Sequence, residues 1–306
     1  MEKFGNARFA RYAWSVLAYN VAVVLWGAYV RATGSGAGCG NHWPLCNGTV
    51  TPHSPTMATI IEFTHRVTSG IDLVLVAALV WWAFRAFPRL HPTRLGATLS
   101  GIFLLTEALI GAMLVKLEHV ANNPSVYRGI SLTTHLINTL TLLACLTLTV
   151  WWGSGRPRLR VAGRPAVLAA ISLGVVMLMG ITGVIAALGD TLFPATSLAA
   201  GFAQDFEAGA NIFLRLRALH PMIAGLAAAW LVFYAATAVR RGPVPHRYAM
   251  RMGAILATQL AAGVLNLLLL APVWLQIFHL LLADLLWITL VFLCASRLAE
   301  DAPIRT

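Results

Sequence analysis

The sequence predicts an all-α membrane protein whose eight transmembrane helices form two pseudo-symmetric four-helix bundles. Three observations lead there. Hydrophobic residues make up 58% of the 306 and charged residues 11%, against roughly a quarter charged in ordinary globular chains, and the mean hydropathy is +0.75. Apolar stretches of about 20 residues, enough to cross a bilayer, fall near 12–30, 64–84, 95–115, 129–152, 166–188, 216–238, 250–270 and 274–296. The same landmarks recur in the same order in both halves. A soluble enzyme and a disordered tail are excluded. In lipid only helices and closed barrels satisfy their own backbone groups, so stretches of this length are helices.

The first stretch follows a basic flank, but no small-residue cleavage site comes after it and Arg31 follows directly, so it reads as a retained helix. The second carries His65 and Gly70, the third Glu107 and Gly111, and the fourth opens with Thr-His-Leu at His135. The sixth repeats H-x4-G as His220 and Gly225, the seventh has Gln259 and Gly263, and the eighth opens with Phe-His-Leu at His279. Residues 1–152 and 166–306 are therefore two copies of one four-helix unit, joined by the Arg/Pro/Gly-rich segment 153–165. Four helices per copy give both copies the same orientation, related by a pseudo-two-fold axis along the membrane normal.

The net charge is +11. Of the 22 Lys and Arg, only Arg31, Arg66, Lys116, Arg128, Arg215 and Arg217 fall on one side. The rest, from Lys3 to Arg305 and including Arg240 and Arg241, fall on the other. By the positive-inside rule that majority side is the cytoplasm, with both termini on it. The basic excess records orientation, and nucleic-acid binding is not expected.

His65, His135, His220 and His279 share one depth, near the outer ends of the even-numbered helices. A lone histidine there is usually a packing or interfacial residue. Two per repeat on separate helices of one bundle is the arrangement that axial ligation of a heme iron requires. Zinc would want a tighter cluster of four ligands. Arg66 adjoins His65, Arg128 precedes His135 by two turns, and Arg215 and Arg217 shortly precede His220. Guanidinium groups suit heme propionates; taken singly, these arginines fit the water interface equally well.

The halves differ. Glu62 precedes His65 by three residues in IIEFTHR and shares its helical face, while the matching position of the second half is Arg217. Glu62 is thus a candidate acid/base group beside whatever His65 binds, its alternative being a salt bridge to Arg66. Intramembrane carboxylates are costly and usually functional; Asp72, Glu107 and Asp284 also lie in spans, without an assigned role. The loop GSGAGCGNHWPLCNG holds Cys39 and Cys46 on the oxidising side. A structural disulfide leads there, over a redox-active one and over a metal pair with His42. Cys145 and Cys294 read as small buried hydrophobes. The matching second loop has no cysteine and carries Asp190, Asp205 and Glu207.

GSGAGCGNHWPLC, IIEFTHR, TTH, RALHP and IFHLLLAD together resemble the heme A synthase family, over essentially the whole chain. These membrane enzymes supply heme A to terminal cytochrome oxidases. The resemblance implies oxidation of the C8 methyl of heme O to an aldehyde, through successive hydroxylations and loss of water. It implies that His65 and His135 flank the substrate heme, with Arg66 and Arg128 beside them. His220 and His279 would ligate a heme b cofactor, with Arg217 nearby. Glu62 matches the family's essential acid, and Cys39 and Cys46 its disulfide. The implied setting is the inner cell membrane, with heme O synthase as partner and a membrane electron acceptor such as quinone. Two rivals remain from the residues alone: a diheme b-type electron carrier, which leaves Glu62 unexplained, and a quinone-linked thiol oxidase using Cys39 and Cys46, which leaves the histidines unexplained.

Overall fold

A computed structural model describes residues 6–239 and 242–300, Glu300 through its backbone alone. Lys3, Arg240, Arg241 and Arg305, used above for orientation, lie outside the described residues. The helices are α1 (Ala7–Ala32), α2 (Met57–Ala86), α3 (Pro92–Lys116), α4 (Val126–Gly153), α5 (Gly163–Leu192), α6 (Leu198–Phe206), α7 (Ile212–Arg217), α8 (Leu219–Val239), α9 (Pro243–Leu268) and α10 (Val273–Glu300). Eight spans among the described residues are long and apolar enough to cross a membrane, α7 and α8 together making the sixth, Ile212–Val239. The chain is a multi-pass helical membrane protein.

Several starts are set by capping side chains, which satisfy N–H groups left over in a first turn. Asn6 accepts from the N–H groups of Arg8 and Phe9, Thr56 from that of Thr59, and Ser125 from that of Arg128. Two features depart from the sequence expectation. The sixth span is interrupted at Ala218 instead of running unbroken over 216–238. Pro221 explains the break: it has no N–H to give the carbonyl four residues back, Arg217, and its ring crowds that carbonyl. The segment before it holds an additional short helix, α6, capped by Ser197. Its Leu198, Phe202 and Phe206 are exposed, while Asp205 is buried.

In the first half α1 and α3 each pack on both α2 and α4; in the second, α5 and α9 each pack on both α8 and α10. The halves meet where α4 touches α10 and α5, and α10 touches α1. This seam is the best-buried part of the molecule. Leu142, Leu143, Leu146 and Val150 of α4 and Leu286, Leu290 and Leu293 of α10 are buried there, and Trp287 donates its indole N–H to the Leu140 carbonyl at 2.7 Å. The remaining spans expose apolar side chains such as Val74, Trp81, Leu105, Leu226 and Val264, as lipid-facing helices do.

Contacts fix which helix ends lie together. Arg31, closing α1, reaches the α5 residues Ala187 and Thr191 and Gln276 at the start of α10. Asn211, before α7, donates to the carbonyl of Pro124, before α4. At the opposite end the Asn6 N–H donates to the Gly153 carbonyl and the Arg160 N–H to that of Leu298. All four histidines therefore sit within the first three turns of their spans, at the end that carries the cysteine loop.

Candidate functional site

The cysteine loop is built onto the start of α2. Cys39 and Cys46 form a disulfide, which removes them from the metal pair with His42 that the sequence left open. Gly38 lies so close to the Ala58 backbone that a Cβ would collide with the Ala58 carbonyl, and Thr59 donates its hydroxyl to the Gly38 carbonyl at 2.8 Å. This seating brings the Cys39 N–H to Glu62, whose Oε2 accepts from it at 2.8 Å. The other carboxylate oxygen, Oε1, is paired with Arg66 at 2.5 Å. The same arginine donates to the His42 and Leu45 carbonyls, each at 2.6 Å, inside the ring the disulfide closes. Glu62 is 3% exposed. The salt bridge weighed as its alternative role is thus present, and it is part of a clamp that fixes the carboxylate one turn above His65.

Each histidine lies in its own setting. The His65 ring abuts Gly27 of α1, where a Cβ would stand 3.0 Å from Cε1 and 3.1 Å from Nε2. Gly183 of α5 makes the equivalent room for His220, and Gly263 of α9 for His279, each at 3.2 Å from the ring Cε1. The Nδ1 atoms of His65 and His279 are buried without a hydrogen-bond partner among the described residues, a costly condition for a polar atom unless something else engages the ring. His220 shares a hydrogen bond with Thr182 at 3.0 Å. His135 Nδ1 stands 3.3 Å from Glu107 Oε1 of α3, near enough for a strong charge interaction although not aligned as a hydrogen bond. His65 and His135 lie on α2 and α4, and His220 and His279 on α8 and α10, so each half carries two of the rings near the same ends of its helices.

The arginines are more occupied than their positions in the sequence suggest. Arg217 holds Asp190 at 2.9 Å and Asp205 at 2.6 Å, gathering the end of α5 and α6 around itself. Arg215 reaches the Ala208 carbonyl. Arg128 is 2% exposed and donates to the carbonyls of Ala121 and Asn123, while its Nε has no partner among the described residues. Arg31, read from the sequence only as an orientation marker, instead ties the halves together. Asp72 accepts from Asn20 of α1 at 2.5 Å. Asp284 is buried, with one carboxyl oxygen unpartnered among the described residues. No group of three or more His, Cys, Asp or Glu is gathered among the described residues as a metal cage would be.

Sequence reasoning missed the Glu107–His135 contact and the three glycines facing rings. The matching places of Glu107 and Gln259 in the sequence pattern were the available signal, because Gln259 stands 3.3 Å from His279.

Fold and site define a polytopic helical membrane protein with two half-buried histidines in each half and a clamped carboxylate in one. A family model described as cytochrome oxidase assembly protein, COX15-CtaA, matches residues 10–291. The chain belongs to this family, that of the heme A synthases. It is 48% identical over 300 residues to a protein of Thermus thermophilus named protoheme IX farnesyltransferase, covering 97% of this chain and 49% of that one. It is 40% identical over 126 residues to the heme A synthase of Bacillus mycoides, 41% of this chain and 40% of that one. Over 124 residues it is 41% identical to the heme A synthase of Bacillus cereus, 40% of this chain and 39% of that one. The chain spans about half the length of the Thermus relative and aligns with a smaller share of the Bacillus ones.

Proposed function

We propose that this chain is a heme A synthase, an oxidoreductase that converts the C8 methyl group of heme O to a formyl group for use in terminal cytochrome oxidase. Residues 1–152 form the substrate half, 153–165 the cytoplasmic linker and 166–306 the heme b half, as two pseudo-symmetric four-helix bundles. The protein lies in the inner cell membrane with both termini in the cytoplasm.

The observation that carries this reading is the clamp on Glu62. It holds a buried carboxylate one turn from His65, in the half whose counterpart has Arg217 at that position. Oxidation of a methyl on a porphyrin edge develops positive charge. Glu62 stabilises that charge from a fixed position and receives the proton given up, and preorganised electrostatics of this kind often contributes more to catalysis than any other effect. The Cys39 N–H and Arg66 keep the carboxylate from swinging away.

The residues present fit heme in both halves. The glycines let three of the rings seat close against a neighbouring helix, and the Nδ1 atoms of His65 and His279 have no hydrogen-bond partner among the described residues. His65 and His135 would hold the substrate, and His220 and His279 the heme b. A bound heme b supplies one-electron transfer, passing electrons toward a membrane acceptor such as quinone. Arg128 would offer a propionate a donor it is not already using; Arg66 and Arg217 would do so only by sharing donors with the carboxylates they hold. Heme O synthase is the expected donor of substrate.

The test is expression with a heme O source, followed by extraction and chromatography of the hemes. Heme A is expected from the native chain and lost on His65→Ala or His135→Ala. Two resident b-type hemes with no conversion would select the electron carrier instead.

A further inference from the structure

We propose that Glu107 is a positioning residue that acts through His135 to make the first-half heme site the lower in reduction potential, so that electrons run from it to the second half. The inference rests on the heme-ligation reading above. Glu107 Oε1 stands 3.3 Å from His135 Nδ1, leaving Nε2 to face a metal. Its placement is over-determined. Oε1 also accepts from the Thr139 hydroxyl, and Oε2 accepts from Asn138 Nδ2 at 2.5 Å, with Asn138 in turn donating to the Phe103 carbonyl. The position matching Glu107 in the second half is Gln259, whose amide nitrogen stands 3.3 Å from His279, on the side of Nε2 and not of Nδ1. The protein thus puts a carboxylate against the ligand candidate of one half and a neutral amide against that of the other.

A negative charge beside a ligating imidazole raises the ring's basicity, and it favours the more positive, oxidised iron. Both effects lower the reduction potential, one of the protein's principal levers on a heme. The other acids do not cancel the difference. Glu62 is paired with Arg66, and Asp190 and Asp205 with Arg217. Asp72 and Asp284 lie seven and five residues beyond His65 and His279, roughly 10 and 7.5 Å along their helix axes.

The experiment is a spectroelectrochemical titration of the full chain loaded with heme in both halves, comparing native protein with Glu107→Gln and Gln259→Glu. His135→Ala and His220→Ala identify which heme belongs to which half. Glu107→Gln should raise the reduced-to-oxidised ratio of the first-half heme about tenfold at fixed potential, about 59 mV for one electron, and leave the second unmoved. Gln259→Glu should lower the second-half value. If the histidine variants leave heme content unchanged, the ligation reading fails. If they remove heme as expected but Glu107→Gln leaves the potential where it was, this inference fails alone. Should Glu107→Gln not fold, the Gln259→Glu titration decides, and an unmoved second-half potential overturns the inference.

Discussion

The backbone N–H of Cys39 donates to Glu62 at 2.8 Å, so the disulfide loop and the candidate catalytic carboxylate are one structural unit. A seven-residue separation closed by a covalent bond holds the loop's carbonyls around Arg66, and Arg66 holds the carboxylate's other oxygen.

Breaking that unit should cost activity before it costs heme. Cys39→Ser with Cys46→Ser leaves both heme pockets in place but frees the loop that supplies the Cys39 N–H. Hydrogen bonds to charged groups contribute about 1.5–3 kcal/mol, so heme A formation should fall about 10- to 100-fold. Retained optical spectra with that fall support the coupling; an undiminished heme A yield contradicts it.

The glycines facing the rings permit a separation of the two sites. Gly263→Val drives side-chain atoms into His279, which a Cβ alone would approach to 3.2 Å, and should abolish the low-spin heme b spectrum. Gly27→Val does the same to His65, and should stop turnover while that spectrum persists. Absorption spectra and heme analysis of both variants check the pair of outcomes.

Arg31 should matter for cohesion of the halves. Its two terminal nitrogens reach the Ala187 carbonyl, Thr191 and Gln276 at 2.8–3.0 Å. Arg31→Met removes all three bonds and strands buried acceptors, so thermal unfolding in detergent should shift down by several degrees, on the order of 1–3 kcal/mol. Arg31→Lys should recover only part, since an ammonium cannot reproduce the planar fork. Equal melting of native and Arg31→Met protein contradicts the cross-link.

The spans, the depth of the four histidines and the cysteine pair were legible in the sequence for physical reasons. Crossing a bilayer demands long apolar runs, and counting along those runs places His65, His135, His220 and His279 near the same ends of their helices. Side-chain partnerships between distant segments were not legible. Arg217 stands beside His220 in the sequence, yet Asp190 and Asp205 capture its guanidinium from the end of α5 and from α6. Glu107 looked like an unassigned membrane acid because its partners Asn138, Thr139 and His135 all lie on the next helix. The break at Ala218 was visible in principle through Pro221, but the apolar run through it masks the missing hydrogen bond.

The most direct measurement is the heme content of Glu62→Gln protein made with a heme O source. The amide keeps the shape of the side chain and loses the charge. Heme O and heme b should both be recovered, with heme A absent or reduced by orders of magnitude; heme A at the native yield would contradict a catalytic Glu62.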